Sequence, residues 1–167
     1  MTYFFPKWDD RFLALADHIS TWSKDPTQIG AVIVRPDKTI ASAGYNGFPR
    51  HCDDSPDILA NRELKYARTI HAEVNAILSC AERPTGCTLY VSKPSLYGPT
   101  CDRCACVIIQ AGIARVVYRL GGSEFSNRWR EPYARAMQLY KEAEVIVTAI
   151  KPETIPQGHL REEQDQY

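Results

Sequence analysis

The chain has 167 residues, with 20 basic side chains against 20 acidic ones, which fits the length of one domain at about 100–200 residues and leaves no net charge. Its 44% apolar and 24% charged content excludes a disordered, collagen-like or coiled-coil chain. The missing basic excess argues against nucleic acid as the main partner. The N-terminal MTYFFPKWDDRF carries acids and a proline where a signal peptide needs an apolar run. Nothing approaches the about 18 consecutive apolar residues of a membrane span, so the expectation is a soluble, cytoplasmic protein with no membrane partner.

In chain order, Phe12, Leu15, Ala16, Ile19 and Trp22 recur at three- and four-residue steps and predict a helix over residues 10–23, ended by Asp25-Pro26. Ile29–Val34 and Thr39–Tyr45 flank the turn residues Pro36-Asp37-Lys38 and read as a hairpin. Residues 46–65 are rich in Gly, Pro and Asp and read as a long surface loop with a short helix near Ile58–Leu64. Ile70, Val74, Ile77, Leu78 and Ala81 predict a second long helix, with Thr69 as its N-cap. Cys87–Ser92 reads as a buried strand, Ser95–Thr100 as a loop, and Cys104, Val107, Ile108 and Ala111 as the inner face of a helix closed by Gly112. Arg115–Tyr118 is a strand, followed by a Gly121-Gly122 loop. The stripe Trp129, Tyr133, Ala136, Met137 and Tyr140 is a helix whose aromatics read as packing, and Val145–Ala149 is a last strand. From about residue 151 the tail is polar and expected to be loose. Helices alternating with strands predict one domain with an α/β sheet that is parallel over its second half.

Six cysteines without an export signal point to metal ligands or buried thiols rather than a disulfide framework. Two motifs open helices directly after loops: His71-Ala72-Glu73 and Pro99-Thr100-Cys101-Asp102-Arg103-Cys104. Cys101 and Cys104 share one helical face and can bind a single ion as thiolates, with His71 as third ligand. Three protein ligands with the fourth corner left for water is the open arrangement of a catalytic zinc. Glu73, beside the ligands without being one, can take the proton of a water whose pKa zinc lowers to about 7. The other reading is a structural zinc completed by His51, Cys52, Cys80, Cys87 or Cys106, none of which the spacing ties to the motif.

His-x-Glu followed by Cys-x-x-Cys is the signature of zinc nucleobase deaminases, here with Thr100 between Pro99 and Cys101. With GAVIV, GYNGFPR, NRELKY, HAEVNAI, TLYV, PTCDRC and IIQAGIARVVY in order from about Ile29 to Val117, the chain resembles the cytidine and deoxycytidylate deaminase superfamily. Within it, GYNGFPR, HAEVNAI and IIQAGI favour the deoxycytidylate (dCMP) branch. The resemblance implies a three-layer α/β/α sandwich, a mixed five-stranded sheet with helices on both faces. It implies one catalytic Zn2+ per chain held by His71, Cys101 and Cys104, with Glu73 as proton shuttle. It further implies that Asn46 and the backbone N–H of Ala72 contact substrate, that the chain forms a homo-oligomer, and that pyrimidine deoxynucleoside triphosphates control it.

The chain departs from the family pattern in the longer link Lys93–Thr100 before Cys101 and in Arg119-Leu120-Gly121-Gly122 after the following strand. Candidates for the 5′-phosphate are Arg50, Arg62, Lys65, Arg68 and Arg119, which the sequence does not rank. His51-Cys52 could take a second metal, although a solvated loop pair is the simpler reading, and His18 and His159 read as surface residues. The expected activity is hydrolysis of dCMP to dUMP and ammonia. The alternatives are the same chemistry on a nucleoside, free base or tRNA adenosine, and a non-catalytic zinc-binding module.

Overall fold

The computed structural model describes residues 7–121 and 129–151; Gly122, His159 and the polar tail after residue 151 lie outside them. Helix α1 (Lys7–Ser20) precedes strands β1 (Gly30–Val34) and β2 (Ile40–Tyr45). Two short helices, α2 (Pro56–Ala60) and α3 (Arg62–Arg68), lead to α4 (Ala72–Leu78), β3 (Thr88–Ser95), α5 (Asp102–Ala111), β4 (Arg115–Leu120), α6 (Arg130–Glu142) and β5 (Ile146–Ile150). The sheet order is β2-β1-β3-β4-β5. β1 pairs antiparallel with both β2 and β3, whereas β3–β4 and β4–β5 are parallel. The expected mixed sheet, parallel in its second half, is therefore present.

Alternation along the strands divides the core between the two faces. Ala31, Ile33, Leu89, Val91 and Val116 pack against α4, α5 and α6 on one face. Val32, Val34, Tyr90 and Val117 pack against Phe12, Leu13, Ala16 and Ile19 of α1 on the other. The fold is the α/β/α sandwich that the resemblance implied.

Local details differ from the sequence reading where tertiary contacts override pattern. Leu13 is buried on α1, while Trp22 lies beyond the helix end and is exposed. The loop over residues 46–65 holds two helices rather than one. Thr69 does not cap α4: it ends α3, its backbone N–H and hydroxyl both bonding the carbonyl of Lys65, and His71 takes the N-cap position. β3 runs on to Ser95, which pairs with Leu120 after a break in register, so part of the expected loop is strand.

One glycine decides how closely the site-bearing helix approaches the sheet. A Cβ on Gly44 of β2 would stand 2.3 Å from the backbone N of Ala76 and 2.8 Å from the carbonyl oxygen of Ala72. Only a bare backbone permits this contact, and it presses α4 against β2 just below Asn46.

Candidate active site

The starts of α4 and α5 lie side by side, so loop residues at their N-caps face each other. His71 caps α4 and Cys101 caps α5, both in extended backbone conformations. Cys104 sits one turn into α5 and is buried. Nδ1 of His71 lies 3.5 Å from Sγ of Cys101 and 3.2 Å from Sγ of Cys104. All three donor atoms fall within 4.8 Å of one another, and no fourth His, Cys, Asp or Glu joins them among the described residues. Zn–S bonds of about 2.3 Å and Zn–N bonds of about 2.0–2.1 Å in a tetrahedron separate N from S by about 3.5 Å. The donor set fits a zinc ion with one corner open.

The electrostatics agree with a cation-binding cluster. The Cys101 thiol is drawn down to about 4, chiefly by the hydrogen bond from Cys104 and then by His71. His71 is raised to about 9 by its hydrogen bond to Cys101. Cys104 is pushed up by the Cys101 sulfur and by burial. Without an ion these groups share protons among themselves; both sulfurs become available as thiolates only when a cation compensates their charge.

Glu73, in the first turn of α4, is 4% exposed, and its Oε2 has no hydrogen-bond partner among the described residues. Burial pushes its carboxyl above the ordinary carboxylate range. A buried carboxylate oxygen without a donor is costly, and here it adjoins the cluster without belonging to it.

The cavity beside these groups has a volume of about 320 Å³ and is lined by His71, Glu73 and Cys101 together with Asn46, Arg62 and Lys65. Asn46 is locked in place: its Oδ1 accepts the N–H of Ile29 and its Nδ2 donates to the carbonyl of Thr27, each at 2.8 Å. One amide hydrogen and one lone pair remain for a ligand. The five candidate cations separate. Arg62 and Lys65 line the cavity around Tyr66, at 5.4 and 5.5 Å from its ring centroid. Lys65 also pairs with the buried Asp25 at 3.3 Å. Arg50 and Arg68 are not among the lining residues, and Arg119 is turned to α1, where it pairs with Asp17 at 2.6 Å. His51 and Cys52 are exposed in their loop, and no second donor group forms among the described residues.

Trp129, Tyr133 and Asp25 are among the lining residues that were not singled out as functional from sequence. Trp129 and Tyr133 read as packing because an aromatic stripe at helical spacing marks a core face, yet both line the cavity. Asp25 read only as the end of a helix; its place beside Lys65 arises from chain segments 40 residues apart.

A family model for the cytidine and deoxycytidylate deaminase zinc-binding region matches residues 6–120. The chain belongs to this family. Its cofactor is accordingly zinc, in agreement with the His/Cys/Cys donor set. An uncharacterized deaminase of Aliivibrio fischeri is 41% identical over 143 residues, covering 85% of this chain and 92% of that protein. Human deoxycytidylate deaminase is 39% identical over 121 residues, covering 67% of this chain and 64% of its own length. The fold matches the dCMP deaminase of cyanophage S-TIM5, solved in complex with dCMP and dUMP, with a TM-score of 0.64 at 22% identity over 89% of this chain and all of that one. No helix among the described residues is long and apolar enough to cross a membrane.

Proposed function

We propose that this protein is a single-domain, zinc-dependent hydrolase that deaminates a cytosine nucleotide, converting dCMP and water to dUMP and ammonia. The observation that carries the reading is the buried, unpartnered Oε2 of Glu73 beside three donors spaced for one open-cornered ion. The relatives named deoxycytidylate deaminase support the substrate.

In this reading His71, Cys101 and Cys104 hold the ion, which when bound supplies a water acidic enough to attack at neutral pH. Glu73 takes one proton from the attacking water and delivers it to the ring nitrogen, where it stays in the product, and then carries the remaining proton of the added hydroxyl to the amine, which leaves as ammonia when the C–N bond breaks and the carbonyl forms. Its raised pKa suits a group that must both accept and return a proton. The backbone N–H of Ala72, at the start of α4 where helix geometry leaves N–H groups free, receives the cytosine carbonyl. Asn46 offers its remaining amide hydrogen and lone pair to the sugar. Arg62 and Lys65, the cations lining the cavity, hold the 5′-phosphate, with Asp25 positioning Lys65.

The same reading takes the protein as a cytoplasmic homo-oligomer under control by pyrimidine deoxynucleoside triphosphates. Sedimentation with and without dCTP and dTTP tests assembly and control together.

The deciding experiment compares steady-state deamination of dCMP, CMP, deoxycytidine and cytosine by the zinc-loaded protein. dCMP is expected to be preferred. Arg62→Ala and Lys65→Ala are each expected to raise KM for dCMP by about 10- to 150-fold, as for loss of a charged hydrogen bond, with little effect on deoxycytidine. Equal rates with and without the phosphate would overturn the nucleotide assignment, and no activity on any of the four would overturn the deaminase reading.

A further inference from the structure

We infer that Cys101 and Cys104 form a reversible redox pair: a hydroperoxide entering the cavity oxidises Cys101, Cys104 closes a disulfide onto it, and the ion is released. This rests on the zinc reading of the donor set and not on the choice of substrate.

The two sulfurs differ in how they can be reached. Cys101 lines the cavity, whereas Cys104 is 1% exposed and is not among the lining residues. A small oxidant that follows the substrate's route therefore meets Cys101 first. As a zinc ligand that sulfur is a thiolate, the form that peroxides oxidise.

The backbone holds the second sulfur ready. Only Asp102 and Arg103, both helical residues of α5, separate the two cysteines. Three helical steps set their Cα atoms about 5 Å apart, inside the range of about 4.4–6.8 Å that disulfides span. The sulfurs already fall within 4.8 Å of each other. The new bond joins side chains alone, so the hydrogen bond at the start of α5, from the N–H of Ala105 to the carbonyl of Cys101, is kept. The other thiols are placed differently. Cys52, Cys80, Cys87 and Cys106 lie outside the donor cluster, and the Cys80 sulfur is engaged with the Ser42 hydroxyl at 3.0 Å.

The chemistry balances in two steps. The Cys101 thiolate takes one oxygen from the hydroperoxide, whose O–O bond breaks to leave an alcohol, or water where the oxidant is hydrogen peroxide, and protonation gives the sulfenic acid. The Cys104 sulfur then attacks the Cys101 sulfur, the S–S bond forms, the S–O bond breaks and the oxygen leaves as water. Two electrons have passed from the two sulfurs to the peroxide. Neither sulfur is then a thiolate donor, and of the cluster only His71 is left, with no fourth donor among the described residues to replace the pair. A dithiol reopens the bond by exchange.

The test treats the zinc-loaded protein with one equivalent of hydrogen peroxide and follows zinc release with a chromophoric chelator. Cys52 and Cys106 are exposed thiols that compete for oxidant, so Cys52→Ser with Cys106→Ser is run beside the wild type. Release of one zinc per chain is expected together with loss of two thiols. Trypsin cuts after Arg103, between the two cysteines, so a digest alkylated beforehand shows the bond as two joined peptides whose fragment masses assign the pair. By occupying the cavity, dUMP at about ten times its inhibition constant should slow release about tenfold, and dithiothreitol with added zinc should restore turnover. Zinc retained while peroxide is consumed, or zinc lost with Cys101 as sulfinic acid and unlinked, would overturn the pair, as would a link to Cys80, Cys87 or Cys106. Release undiminished at a dUMP concentration that inhibits turnover would overturn the cavity as the route. Linkage and release in a protein that turns over none of the four cytosine compounds would support the pair and remove the deaminase reading.

Discussion

Asp9 and Glu73 are both carboxylates in the first turn of a helix, 2% and 4% exposed, one on each face of the same sheet. Asp9 is fully engaged. Its two oxygens accept from Nη1 and Nη2 of Arg115 at 3.0 and 2.7 Å, and Oδ1 also accepts the Tyr90 hydroxyl at 2.8 Å. These bonds tie α1 to β3 and β4 across the sheet. Glu73 has an oxygen with no partner, and burial raises its pKa. The first carboxylate secures an element; the second leaves an oxygen without a partner on a residue that lines the cavity. A buried charge with its donors supplied contributes to the fold, and the same charge without them is available for chemistry.

This contrast predicts opposite responses to mutation. Glu73→Gln should lower kcat by about 10²- to 10⁴-fold with zinc still bound near one per chain, and Tm should hold or rise, because an amide does not oppose burial as a carboxylate does. A clear fall in Tm, or loss of the metal, would mean that Glu73 supports the structure after all. Asp9→Ala should do the reverse. It strands the Arg115 guanidinium and should cost about 3–5 kcal/mol in denaturant unfolding, with kcat of the folded fraction little changed.

The smallest effect lies where the two functions meet. The Thr100 hydroxyl, buried next to Cys101, is 2.7 Å from the Tyr140 hydroxyl on α6. Thr100→Val should cost about 1–3 kcal/mol through the unpaired phenol and leave zinc stoichiometry unchanged. Loss of zinc in that variant would show that this bond also positions Cys101.

Much of the frame was legible because it depends on local periodicity. The Phe12–Ile19 stripe, the Ile29–Val34 run and the alternation of later strands and helices specify which faces are apolar, and apolar faces leave few ways to stack. The three donors were legible for a similar reason: Cys101 and Cys104 are one helical turn apart, and His71 opens a helix as they do. Thr69 misled because a threonine before a helix caps it only if the preceding chain is not itself helical, and here α3 ends on that residue.

The cavity wall was beyond local reading. Trp129 and Tyr133 obey the same periodicity as Ala136 and Tyr140, and only the position of α6 against α5 decides which of them enter the core and which line the cavity. The five cations were equal in sequence; the fold turned Arg119 toward Asp17 and left Arg62 and Lys65 on the cavity.

By itself, then, the sequence determined the family and the mixed α/β sheet, and it singled out His71, Glu73, Cys101 and Cys104 as candidates, because residue type at helix-opening positions carries that chemistry. The tertiary structure alone decided which carboxylate is satisfied and which is not, and which side chains enclose the cavity. Hydrogen-bond satisfaction and burial depend on partners supplied from distant segments, as Asp9 depends on Arg115 across 106 residues of chain, and no local pattern records such partners.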